Sequence, residues 1–211
     1  MVNPTLIEYI ERGILPRYAF FDAAHQRNHA EEVIMRSLVL AKHYDVDENM
    51  VYAIAAYHDT GLCEGRDTHH LVSGRIIRED KKLRNWFDEV QIETIAQAAE
   101  DHRASSGHEP RSIYGRIVAE ADRFIDADTI LRRTVQFGLD NYPELDAEAH
   151  FQRMMSHLRE KYGRGGYLHL WFEDSPNARR LRELQDTIDD EAALRRRFNQ
   201  IFNHENMQYE S

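Results

Sequence analysis

Residues 47–62, DENMVYAIAAYHDTGL, carry the pattern that decides the fold. Asp47 reads as a helix cap, and Val51, Ile54 and Ala55 recur at the spacing of one helical face. His58 continues that face two turns after Val51, and Asp59 follows it directly, so an imidazole and a carboxylate close an otherwise apolar stripe. A polar ring at that position is either satisfied by a partner or bound to something. Gly61 and the polar run TGLCEGRDT at 60–68 then stop the helix.

Outward from this segment the periodicity stays helical. Upstream, Asn3-Pro4 opens a short helix through Ile10 that ends near Gly13, and a second element covers about 17–27. A helix over 29–44 keeps Val33, Ser37, Leu40, Ala41 and Tyr44 on one face, with His29 one turn before Val33. Downstream, His70 opens a helix on which Gly74 and Ile77 share its face, Gly74 admitting a neighbouring backbone. The segment 88–103 buries Ile92, Ile95, Ala96 and Ala99 and brings His102 to the end of that stripe. Ser112 caps a helix carrying Ile113, Ile117, Val118 and Ala121, with Asp122 adjoining the stripe one turn after Val118. Helices over 126–141 and 146–162, the connector YGRGGYLHLWFEDSPN and one long helix from 177 to about 203 complete the chain. The GRGG run lacks the Lys-Ser/Thr and the preceding strand of a phosphate-binding loop, so it reads as a connector. No alternating strand pattern interrupts these helices, and the expected class is all-α.

The 211 residues, 42% of them hydrophobic, suffice for one domain with a full core. With 37 acidic against 27 basic residues and a net charge of −10, no basic surface for a nucleic-acid backbone is expected, which excludes long polynucleotides as partners. Cys63 is alone, so no internal disulfide forms. The N-terminus MVNPTLIEYIERGILPRY lacks a basic-then-apolar export pattern, and no stretch approaches the roughly 18 apolar residues of a membrane span. A cytoplasmic protein without membrane association is expected.

His29 in NHAEEV, His58-Asp59 in AAYHDTG and Asp122 in EADRFIDA together resemble the HD-domain superfamily of metal-dependent phosphohydrolases. The resemblance covers about residues 20–130; the helices from about 131 to 211 are similar to the tail of small bacterial HD hydrolases. It implies one helical HD-type bundle over 1–211 with additional C-terminal helices. It also implies that His29, His58, Asp59 and Asp122 bind a divalent cation (Mn, Mg, Fe, Co, Ni or Zn), with Asp59 able to bridge to a second ion. His70, in HLVSG, resembles the family's H-x-x-x-G helix start, and His102 the histidine closing the next helix; in dinuclear members these positions hold the second metal, and in mononuclear ones they lie near the phosphate. A lysine found soon after the HD pair in several subgroups is missing, Thr60-Gly61-Leu62 standing there, so its role is dropped or passes to Arg66.

The reaction expected from this resemblance is attack of a metal-activated water on phosphorus, with His58 and Asp59 as the catalytic pair and Asp59 the first choice of base. The substrate would be a small phosphorylated metabolite such as a nucleotide, with Arg66, Arg103 and Arg123 as candidate phosphate contacts. The same ligands suit a di-iron HD-type oxygenase, and a non-catalytic metal- or nucleotide-binding sensor is the third reading. His25, one turn before His29, is a neighbouring contact. His69, His43, His108, His150, His157, His169 and His204 read as surface residues. Substrate identity, one ion or two, and any oligomer remain open at this level.

Overall fold

The computed structural model describes residues 1–22, 25–105 and 108–209, and among them every regular element is helical. The chain forms two compact units, Met1–Arg123 and Phe124–Ser211, each with its own apolar cluster. The sequence reading has one HD-type domain over 1–211, its core at about 20–130 and a helical extension from about 131.

In the first unit, α1 spans Pro4–Gly13, with the Asn3 carboxamide oxygen accepting from the Thr5 N–H at 2.9 Å. A tight helical segment, Leu15–Phe20, sinks Leu15 and Tyr18 into the core. Helices α2 (Arg27–Ala41), α3 (Glu48–Tyr57), α4 (His69–Glu79), α5 (Glu89–Glu100) and α6 (Ile113–Asp122) follow. α3 is the hub: Met50 through Tyr57 are all buried, and the helix packs against α1, α2, α5 and α6. A helix that is apolar all round belongs in a core, and its end is then a buried place to put polar groups. Asp80, just past α4, ties this hub to its neighbours by accepting from the hydroxyls of Tyr9 and Tyr57, the latter at 2.6 Å.

Beyond the His58-Asp59 pair the chain makes another short turn of helix, Thr60–Glu64, which lies on α4. Gly61 permits that approach: a Cβ there would stand 2.0 Å from the His69 carbonyl oxygen and 2.6 Å from the Ser73 nitrogen. Its N–H donates to the Ser73 hydroxyl at 2.9 Å, fastening the turn to the helix start. Gly74 accommodates not a backbone but the Glu100 side chain, which Arg78 and Arg111 hold.

The second unit consists of α7 (Ala127–Asn141), α8 (Ala147–Tyr162), α9 (Pro176–Asp189) and α10 (Glu191–Tyr209) around Phe151, Met154, Leu184, Ile188, Leu194 and Phe198. The single helix expected from 177 to 203 is therefore two. Asp190 leaves helical geometry at φ −89° and ψ 87°, and its carboxylate accepts from the Ala193 N–H at 2.9 Å, a competing cap that ends one helix and opens the next. His150, expected at the surface, is buried at 2% exposure against the Phe202 ring. Among the described residues no helix is long and apolar enough to cross a membrane.

Gly61→Ala should cost about 1–3 kcal/mol or more in urea unfolding, because the added methyl meets backbone that cannot give way. An unchanged midpoint would show that the turn does not lie on α4 as described.

Candidate metal centre

The site starts with what the last turn of α3 does with its carbonyls. A helix end leaves them without partners, and here side chains take them. His58 Nδ1 lies 2.7 Å from the Ala55 carbonyl oxygen, and the Thr60 hydroxyl donates to that of Tyr57 at 2.7 Å. Since a carbonyl only accepts, Nδ1 of His58 carries a proton, which leaves Nε2 as the ring atom turned toward the interior. The same device recurs twice. His102 Nδ1 reaches the Ala99 carbonyl at 2.6 Å and His69 Nδ1 that of Arg66 at 2.7 Å, each three residues back. Three imidazoles thus turn their Nε2 atoms to one place.

The place is Asp59, whose carboxylate divides its two oxygens. Oδ2 faces Nε2 of His58 at 3.2 Å and of His29 at 3.6 Å; Oδ1 faces Nε2 of His102 at 3.3 Å and of His69 at 3.4 Å. Asp122 Oδ1 closes the first group, 3.2 Å from His29 and 3.7 Å from His58. His29, His58 and Asp59 form one set of mutually adjacent ligand atoms, and Asp59, His69 and His102 another. Within each set the imidazole nitrogens are close, 3.3 Å between His58 and His29 and 3.2 Å between His69 and His102. Neutral His69 and His102, both with Nδ1 protonated, would aim two lone pairs at each other and at a carboxylate oxygen. A cation would satisfy all three converging acceptors at once, and the donor set fits a metal ion of the borderline class that takes nitrogen and oxygen.

Without such an ion the cluster neutralises itself with protons. Burial alone would raise the Asp59 pKa, yet the charge of His58 and the hydrogen bonds from His102 and His29 hold it well below the usual carboxylate range. Burial opposes protonation of His29, but hydrogen bonds to Asp122 and Asp59 outweigh it and push the pKa up to about 10. Against its own burial, Asp122 is held down to about 2 by His29 and the charges of His58 and His102. His102 is raised too, Asp59 prevailing over burial, whereas burial keeps His69 low.

The structure brings His29, His58, Asp59, Asp122 and His102 together as the sequence reading has them. It replaces His70 by His69. Helix α4 begins at His69, whose ring is anchored on the Arg66 carbonyl, and the next residue is rotated about 100° around the helix axis, away from Asp59. His70 lies beside Arg103 with its pKa lowered to about 4, by burial first and then by that charge. Both histidines satisfy the stripe spacing, so nothing in the periodicity selects His69. Arg66 is largely exposed and 3.5 Å from Asp22, which also holds His25 at 2.7 Å. Arg103 is engaged by the Asp67 carbonyl. Arg123, following Asp122 at the end of α6, is sunk in the fold at 6% exposure rather than presented to solvent. Tyr18, which the sequence reading passes over, touches the same turn through its hydroxyl.

A family model described as HD domain matches residues 27–126, which contain all six of the clustered ligands. No curated protein and no solved structure matches the chain.

The proton count gives a direct check. His29, raised above its ordinary 6.5, stabilises the metal-free fold fully below that pH and loses its contribution as the pH climbs through about 10. Asp122, lowered from 3.8, stabilises above that value and loses its share as the pH falls through about 2. A cation must displace the His29 proton, so Mn²⁺ binding at about pH 7.5 should release about one proton or more per protein and weaken as the pH falls. Calorimetric titration in two buffers of different ionisation heat reads this; equal heats in both would contradict it.

Proposed function

The chain belongs to the HD-domain superfamily, and from that premise we propose that it is a dinuclear metal-dependent phosphohydrolase acting on a small phosphorylated metabolite such as a nucleotide. The observation that carries this reading is the division of the Asp59 carboxylate, one oxygen to His58 and His29 and the other to His102 and His69. A bridging carboxylate flanked by nitrogen ligands on both sides is the protein's part of a two-metal site. His29, His58, Asp59 and Asp122 would hold one ion, and Asp59, His69 and His102 the other. Ions held there would lower the pKa of a coordinated water towards neutrality and offset charge on a phosphoryl oxygen.

The protein groups divide the remaining work. Asp59, with each carboxylate oxygen turned toward two imidazole nitrogens, would hold the ions. His58, His69 and His102 are locked into one tautomer by backbone carbonyls, which fixes the direction of each ligand before any substrate arrives. Arg66, exposed and only loosely paired with Asp22, is the arginine best placed to meet a substrate phosphate. An acidic chain then binds an anionic substrate because the local charge at the centre is set by the ions and not by the net −10.

Screening phosphorylated metabolites with Mn²⁺, Mg²⁺, Co²⁺ and Fe²⁺ should show metal-dependent phosphate release that is lost in His58→Ala and His69→Ala but largely kept in His70→Ala. His69→Ala should also bind fewer ions than His70→Ala. Oxygen consumption by the iron-loaded protein with no phosphate release from any substrate would overturn the hydrolase reading. Nucleotide binding without turnover under every ion would favour a sensor.

A further inference from the structure

We propose that Tyr18 is a positioning residue for this centre, its hydroxyl setting the turn that aims His58 and Asp59; the proposal rests on the reading of the cluster as a metal site. Tyr18 comes from the short helical segment before α2, outside the residues the family model matches. It is fully buried, with its ring 6.4 Å from that of His58. Its hydroxyl donates to the Ala56 carbonyl at 3.0 Å and accepts from the Asp59 N–H at 3.3 Å. A phenol has one proton to give and lone pairs to receive, and here both capacities are spent on the two residues flanking Tyr57-His58.

The consequence lies in the bond that is not made. Were α3 to continue, the Asp59 N–H would bond the carbonyl four residues back, that of Ala55. That carbonyl is the one His58 Nδ1 uses to fix its tautomer. By taking the Asp59 N–H, the Tyr18 oxygen holds Asp59 out of the helix, at φ −106° and ψ 4°, and removes one competing donor from the Ala55 carbonyl that His58 uses. One hydroxyl therefore supports two ligands: the direction of the Asp59 carboxylate and the bond that holds the His58 ring by its Nδ1.

Tyr18→Phe keeps the ring and removes only these bonds. Mn²⁺ affinity should fall by about 10- to 100-fold, the usual effect of disturbing groups that orient metal ligands, and nitrogen NMR of His58 should show a mixture of tautomers. Tyr57→Phe deletes an equally deep hydroxyl that bonds Asp80 instead and should change neither readout, which separates positioning from general loss of core polarity. In the wild type, hydrogen exchange at the Asp59 amide should be slow, a test that does not depend on the variant folding. A Tyr18→Phe affinity within about twofold of wild type, or rapid exchange at that amide, overturns the role of Tyr18. Absence of Mn²⁺ binding by the wild type would instead defeat the metal-site reading itself.

Discussion

Asp59 places a carboxylate at 3% exposure with four imidazole nitrogens within 3.2–3.6 Å of its two oxygens. A charge buried so deeply costs several kcal/mol unless it is matched by positive charge and hydrogen bonds. Without a metal ion the match is made by protons shared among His29, His102 and the two aspartates; a bound divalent cation would make it instead. The remainder of the first unit follows from keeping that carboxylate where it is. α3 must be buried all round to deliver it to the interior, and its last turn must come undone so that side chains and not amides take the final carbonyls.

Each neighbouring element then supplies one part of the surroundings. α2 brings His29 and α6 brings Asp122 from one side; α4 and the end of α5 bring His69 and His102 from the other. Gly61 lets the turn after Asp59 lie on the start of α4, so the Asp59 carboxylate and the His69 backbone belong to one packed unit. The recurring bond from Nδ1 to the carbonyl three residues earlier needs no tertiary partner. It lets three histidines on three segments acquire the same tautomer from purely local geometry.

Much of this was legible in the sequence because it rests on period and cap. The α3 stripe ending at His58, the Ser112 cap of α6 and the position of Asp122 all follow from short-range rules. His69 was not legible: it and His70 sit on overlapping stripes, and only the docking of the 60–64 turn and the Arg66 carbonyl decides between them. Tyr18 was hidden for a related reason, since a tyrosine in an apolar segment looks the same whether its hydroxyl meets water or a buried amide. The break at Asp190 was missed because consecutive aspartates fit a solvated helix face as well as a cap. His150 was misplaced because its burial depends on Phe202 from a helix far along the chain.

The central claim is that one carboxylate joins two ion positions. Electron paramagnetic resonance of the wild-type protein loaded with about two equivalents of Mn²⁺ examines this without reference to substrate or turnover. Two ions sharing Asp59 should give an exchange-coupled spectrum, and Asp59→Asn should reduce it to that of isolated ions. A spectrum of uncoupled Mn²⁺ from the fully loaded wild type would contradict the bridge.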